Sequence, residues 1–303
     1  RMLQAVGGST NGVVHIAAMA GRLGLKIDLD ELNEAGDEIP MIVDLKPSGQ
    51  HYMEDLHESG GVPGIMKKLS DRFDLDCKTV TGKSIHENIS GLKLDFPQQI
   101  ICNPEKPIYP KNALVALKGN LATHGAVIKI SSATKDLLIH TGKAVVFDSL
   151  DDLAERIDDP DLVIEANDIL VLRGVGPVGA PGMPEAGFVP IPKYLLEQGV
   201  KDMVRISDAR MSGTAFGTTV LHVSPESAVG GPLALVVTGD QIELNVWKRR
   251  IQLLVDGNIL MERSKNLKIT APVAERGYVK MYIENVTQAH EGCDFRFLTP
   301  SKE

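Results

Sequence analysis

The sequence predicts two parts of different fold class. Helix-rich α/β material occupies roughly the first 100 residues, and a strand-rich barrel or sandwich with inserted helices follows it. Three observations carry this. The first part strings helix-like stretches around one short apolar run, PMIVDL. Four prolines, Pro97, Pro104, Pro107 and Pro110, then punctuate DFPQQIICNPEKPIYPKN, which reads as a linker. Beyond it come eight short β-like runs separated by turn glycines and aspartates. The cut falls near residue 107, giving parts 1–107 and 108–303.

In order, GGSTNG at residues 7–12 sets Thr10 and Asn11, both good N-caps, before GVVHIAAMAGRLGL, which reads as a helix. Glycines at a helix N-terminus make a natural anion pocket. His15, one turn in, reads as a packed structural residue. DLDELNEAGDE is a second helical stretch, and GGVPGIMKKLSDRFD a third, opened by Gly60, Gly61 and Pro63. Between them PSGQHYMEDLHESGG gathers His51, Glu54, Asp55, His57 and Glu58, the residue types of a metal cluster. Their spacing matches no zinc pattern, so they read as a solvated loop and helix start. The expected strands are ALVALKGN, GAVIKIS, KAVVFDS, DILVLRG, DMVRISD, TVLHVSP, LALVVTGD and QIELNV, with helices SLDDLAERI and PIPKYLLEQ inserted.

A chain of 303 residues with 43% hydrophobic content suits two domains, and an aromatic share of 4% makes their cores aliphatic. Lysine and arginine total 32 against 40 aspartate and glutamate, a net charge of −8. That balance argues against a non-specific grip on nucleic acid or anionic membrane. No run approaches a membrane span, and no charged-then-apolar leader opens the chain, so a cytoplasmic protein is expected. Cys77, Cys102 and Cys293 are far apart, form no C-x-x-C pair, and read as small hydrophobes in a reducing compartment. The chain opens at Arg1 and reaches a Gly-Gly turn within a few residues, so further sequence upstream is expected.

DILVLRGVGPVGAPGMPEAG holds a literal G-x-G-x-x-G at Gly174, Gly176 and Gly179, straight after an expected strand. A dinucleotide site needs a helix to open there, and Pro177, Pro181 and Pro184 break one. What remains is a stiff arm ending in Glu185, an oxygen ligand of the kind magnesium takes. SDARMSGTAFG, residues 207–217, places Ser212 among residues too small to fill a core. No G-x-S-x-G elbow surrounds Ser212, so a hydrolase triad is unsupported. Beside a divalent cation its hydroxyl could lose a proton near neutrality, and Arg210 could hold a substrate carboxylate.

Taken together, GGSTNGVVHIAAMA, DLKPSGQHYMEDLHESGGVPGIMKKL, GNLATHGAVIK, GPVGAPGMPE, SDARMSGTAFGT, SPESAVGGPLALVVTGDQIEL and ERGYVKMYIENVTQAHEGCDF resemble the blocks of the dihydroxyacid and sugar-acid dehydratase family, in its order. The resemblance implies an α/β N-terminal remnant, here the C-terminal part of a cluster-binding domain, followed by a β-barrel-like domain with flanking helices. It implies loss of water from a 2,3-dihydroxy acid to give a 2-keto-3-deoxy acid, with an iron–sulfur cluster and Mg2+ as cofactors and a homo-oligomer as the assembly. By motif, Ser212 matches the family's serine base and Glu185 a magnesium ligand, with Ser9, Thr10, Asn11 and Arg210 as substrate-binding candidates. Cluster cysteines and the other magnesium ligands belong to blocks that precede GGSTN, so the chain resembles the C-terminal portion of such an enzyme. Thr123 and His124 stand where the family usually shows Pro-Asp, and Asn245 replaces a common aspartate. DARMSGTAFG and the C-terminal block are closer to the sugar-acid branch than to the branch of branched-chain amino acid synthesis. The alternative in another class is a non-catalytic barrel module that binds a ligand or partner.

Overall fold

The computed structural model describes residues 1–94, 100–213, 215–269 and 271–300; Pro97 and Thr214 lie outside the described residues. In chain order the helices are α1 (Met2–Val6), α2 (Asn11–Arg22), α3 (Leu29–Glu38), α4 (Met53–Glu58), α5 (Gly61–Lys68), α6 (Ile85–Ile89), α7 (Leu150–Arg156), α8 (Lys193–Glu197), α9 (Gly257–Asn266) and α10 (Gly277–Asn285). By contacts the chain groups into two compact units. One is Arg1–Gly8 with Glu31–Leu114, the other Ser9–Asp30 with Val115–Glu303.

The first unit has its own aliphatic core, in which Ala5, Ile39, Ile42, Ile65 and Leu69 pack with Ile100 and Ile101. Those last two residues explain why the described part of the proline-rich stretch is not a free linker. Cys102 N–H donates to the Ile42 carbonyl at 2.7 Å, Ile108 N–H to Met41 at 2.9 Å, and Asp44 N–H to the Ile100 carbonyl at 2.9 Å. Proline removes a donor but not an acceptor, and the isoleucines between the prolines gain by burial. The expected apolar strand is present only as isolated bridges, Met41 to Tyr109 and Val43 to Ile101. The polar stretch after it forms a short helix, α4, where Asp55 accepts the Tyr52 N–H at 2.7 Å.

The second unit is built on a closed eight-stranded barrel. Its strands are β1 (Leu114–Gly119), β2 (Ala122–Lys129), β3 (Ile139–Phe147), β4 (Ile169–Leu172), β5 (Arg205–Ser207), β6 (Thr219–Ser224), β7 (Gln241–Asn245) and β8 (Arg250–Leu253), in the order β1-β2-β6-β5-β4-β3-β7-β8. The alternation of side chains along a strand divides the apolar residues between two layers. Ala144, Val146, Ile169 and Val171 point into the barrel with Ala126, Ile128 and Val220. Their neighbours Val145, Phe147, Leu170 and Leu172 face outward, onto Leu153 and Ile157 beside α7 and Leu195 of α8. Both faces are covered, which is why these strands read as unbroken apolar runs.

Seven of the eight expected strands form. LALVVTGD does not: Gly231 and Pro232 open a 3-10 turn over Pro232–Leu235, and Arg250–Leu253 takes the eighth place. Proline fixes its own φ and cannot donate to a ladder, and Pro232, just before the run, starts the turn that takes in Leu233–Leu235.

On one arc of the barrel β3, β4, β5 and β6 run parallel, with Leu172 beside Ser207 at the ends of β4 and β5. Parallel neighbours need crossovers, and α7 and α8 supply the first two. The loops after β4 and β5 therefore leave the barrel at the same rim, the carboxyl end where open α/β sheets also collect their ligands. On β6 one extra residue opposes β2: Gly125 pairs with Ser224 but Val127 with Leu221. His222 sits in this bulge with φ 59°, and the pleat shifts phase there.

Candidate functional site

The loop after β4 carries Glu185, and the loop after β5 carries Ser212. What makes each loop hold its shape is a buried carboxylate. Asp208 is fully buried and accepts from the Ser227 hydroxyl at 2.5 Å and from the amides of Ser227, Val175 and Gly174 at 2.9, 3.1 and 3.4 Å. Glu226, also buried, accepts from the amides of Val178 and Gly179 at 2.9 and 2.8 Å and from Gln288 Nε2 at 2.8 Å. Burial drives both carboxyls above their usual range, and these hydrogen bonds oppose the shift.

Four amides that a G-x-G-x-x-G loop would offer a pyrophosphate, those of Gly174, Val175, Val178 and Gly179, are thus already taken by the protein's own acids. Gly176 is required for this: a Cβ there would come within 2.6 Å of Glu226 Oε2. Neither acid is legible as a loop anchor from the sequence, since Glu226 meets residues 48 and 47 positions away.

Asn11 laces the two loops together. Its Nδ2 donates to Glu185 Oε1 at 2.6 Å and to the Met211 carbonyl, the residue before Ser212, at 3.2 Å. Asn11 is the first residue of α2 rather than its cap, and its own N–H is held by Ser9 Oγ at 3.2 Å. Thr10 is the N-cap but makes no side-chain cap hydrogen bond. Ser9 and Thr10 line a narrow cavity together with Ser212, Lys129, Ser132 and Thr219. Gly213 lets the serine loop close on this cavity, because a Cβ there would stand 3.0 Å from Ser9. Small residues in SDARMSGTAFG therefore make room for the start of α2.

Ser9, Thr10 and Ser212 share one cavity, and Asn11 and Glu185 are hydrogen-bonded beside it. Arg210 is elsewhere. Its Nε donates to the Met183 carbonyl at 2.5 Å, and it lines a second cavity of about 300 Å³ with His15, Tyr282 and Cys293. His15, expected to be packed, is exposed at that cavity. His124 lies tilted against His290 at 4.7 Å between ring centres, and Asn245 Oδ1 accepts the Lys248 amide in a turn.

The resemblance implies magnesium and an iron–sulfur cluster, and the residues present fit the two unequally. Glu185 Oε1 lies on Asn11, whose Oδ1 is buried with no partner among the described residues. A carboxylate and an orphaned amide oxygen are the hard donors magnesium prefers, and they fit a share of such a site. No group of three His, Cys, Asp or Glu is set to hold a metal among the described residues, the His51–Glu58 stretch included. The cysteines do not fit an iron–sulfur cluster. Cys77 is exposed rather than packed, Cys102 belongs to the first unit, and the Cys293 thiol lies on the Met183 sulfur at 3.2 Å. Burial pushes that thiol up to about 12, away from the thiolate a cluster needs.

No described helix is long and apolar enough to cross a membrane. Residues 1–88 match the family described as dihydroxy-acid/6-phosphogluconate dehydratase, N-terminal, and residues 99–293 its C-terminal counterpart. A protein named 6-deoxy-6-sulfo-D-gluconate dehydratase from Pseudomonas putida is 45% identical over 297 residues, 97% of this chain and 51% of its own length. L-arabonate dehydratase from Azospirillum brasilense is 44% identical over 307 residues, 98% of this chain and 52% of its own. Dihydroxy-acid dehydratase from Methanothrix thermoacetophila is 37% identical over 296 residues, 96% and 53%. The chain spans about half the length of these curated relatives.

Proposed function

The chain belongs to the dihydroxy-acid/6-phosphogluconate dehydratase family, and on that premise we propose that it supplies the serine-bearing barrel of a hydro-lyase that dehydrates a sugar acid. The higher identity to relatives named for sugar acids than to one named for a dihydroxy acid supports that branch. The observation that carries the reading is Asn11, which ties Glu185 to the carbonyl next to Ser212.

In this reading Ser212 takes the proton from C2, next to the substrate carboxylate. The C3 hydroxyl leaves, the electron pair of the C2–H bond becomes the C2=C3 double bond, and the enol tautomerises to the 2-keto-3-deoxy acid. One water is lost and nothing is oxidised. A serine hydroxyl is a poor base at neutral pH, and C–O cleavage needs acid help. A magnesium ion and an iron–sulfur cluster, when bound, supply that positive charge. Glu185 would hold magnesium with Asn11 Oδ1, while the cluster would be held by residues outside this chain. Ser9 and Thr10 offer hydroxyls to the substrate, and Arg210 a guanidinium from the second cavity. The assembly we expect is a homo-oligomer, without nucleic acid or membrane.

The test uses the whole gene product and an aldonate panel of L-arabonate, D-xylonate and D-gluconate, with keto-acid release as the readout. Ser212→Ala is expected to reduce turnover at least 1000-fold, a proton-transfer-sized loss, with iron content unchanged. Glu185→Gln is expected to raise the magnesium concentration needed for half-maximal rate. Full turnover by Ser212→Ala would remove the serine from its role.

A further inference from the structure

Among the described residues the cavity of Ser212 is lined by one cation, and it is not the one the sequence pointed to. Lys129 ends β2, where Ala126 and Ile128 face the barrel interior. The pleat therefore turns Lys129 outward, beneath the β5–β6 loop and beside Thr219 at the start of β6. It is half-buried, and its ammonium makes no hydrogen bond or ion pair among the described residues. Among the described residues the lining otherwise offers hydroxyls, from Ser9, Thr10, Ser132, Ser212 and Thr219, and no carboxylate.

A half-buried ammonium without a counter-charge is costly, and it is kept where something else brings the negative charge. The void measures about 10 Å³, about one water's room. At most one oxygen of a ligand's headgroup fits there beside the lysine, so the body of a sugar acid stays outside it. The group one bond from C2, the carbon whose proton Ser212 takes, is the C1 carboxylate.

We propose that Lys129 is the residue that receives the substrate's C1 carboxylate, holding C2 against Ser212; this rests on the sugar-acid reading above. Burial alone lowers the free lysine to about 8, with no acidic neighbour to raise it. It is thus mostly charged at neutral pH, and a bound carboxylate raises it further.

Two measurements on the whole gene product test this. The first needs no variant and no turnover: the wild-type protein is reductively methylated with L-arabonate, D-xylonate or D-gluconate present, or with the matching uncharged alditol, and Lys129 is read by mass spectrometry. At least one aldonate is expected to slow its modification about tenfold, and the alditols to leave it unchanged. Equal labelling under every aldonate, or equal protection by the alditols, overturns the proposal.

The second compares KM and kcat in Lys129→Met and Lys129→Arg. KM for the aldonate is expected to rise 10- to 100-fold in the methionine variant and to recover in part with arginine, the size of one charge-assisted contact. An unchanged KM in the methionine variant overturns the lysine assignment and leaves the dehydratase reading intact. Aldonate-specific protection without any keto acid released overturns the dehydratase reading and leaves Lys129 as a carboxylate site.

Discussion

Ser212 and Glu185 were singled out in the sequence because each stands in a motif with a chemical reason for its neighbours, and Asn11 brings their loops together. Lys129, Asp208, Glu226 and His222 were not, because what singles them out is a partner, or the want of one, supplied by distant parts of the chain. His222 is the sharpest case. It is buried, both ring nitrogens lack partners among the described residues, and burial, helped by Arg210, lowers its pKa from 6.5 to about 4. The folded state therefore keeps the ring neutral while the unfolded chain protonates it below about pH 6.5. Stability tied to this group is fully present above pH 6.5 and lost as pH falls from 6.5 through 4, by about 3 kcal/mol in all. Asp208 and Glu226 act in the opposite sense, since raised carboxyl values favour the folded state at low pH. Urea titrations from pH 7 to pH 4 are expected to show a loss that shrinks in His222→Asn, a residue that tolerates the positive φ. An identical pH slope in that variant would contradict the assignment.

Among the elements, strands with both faces covered were easiest to read, because each is an apolar run closed by turn residues. The loops misled. GVGPVG has the spelling of a phosphate cradle, yet Glu226 fills it, and the proline-rich stretch has the composition of a spacer, yet Ile100 and Ile101 anchor it. In both cases a short-range signal gave way to burial contributed from elsewhere. Gly176→Ala puts a methyl group on the Glu226 carboxylate and is expected to cost about 1–3 kcal/mol, as overpacking does. A fall in the urea midpoint at unchanged m-value would report it. The same variant should loosen the arm that carries Glu185, raising the magnesium requirement in the manner of Glu185→Gln.

At the scale of the molecule, two aliphatic cores were legible from a chain with few aromatics, while their membership was not: α2 lies far from the strands in sequence but groups with them. Because each unit has its own core, Ile65→Ala and Leu170→Ala are expected to weaken different parts. Each should cost about 2–5 kcal/mol. Hydrogen exchange should speed up around α5 in the first variant and around β4 in the second. Circular closure also has a price in one place. The ring of strands is completed where β1 meets β8 in parallel, with Lys118 and Arg250 as the partner pair. A sheet wound into a ring offers no free margin to a foreign strand. A seam held by a single partner pair is a point where heat or truncation is expected to reopen it, turning a self-contained ring into a template for aggregation.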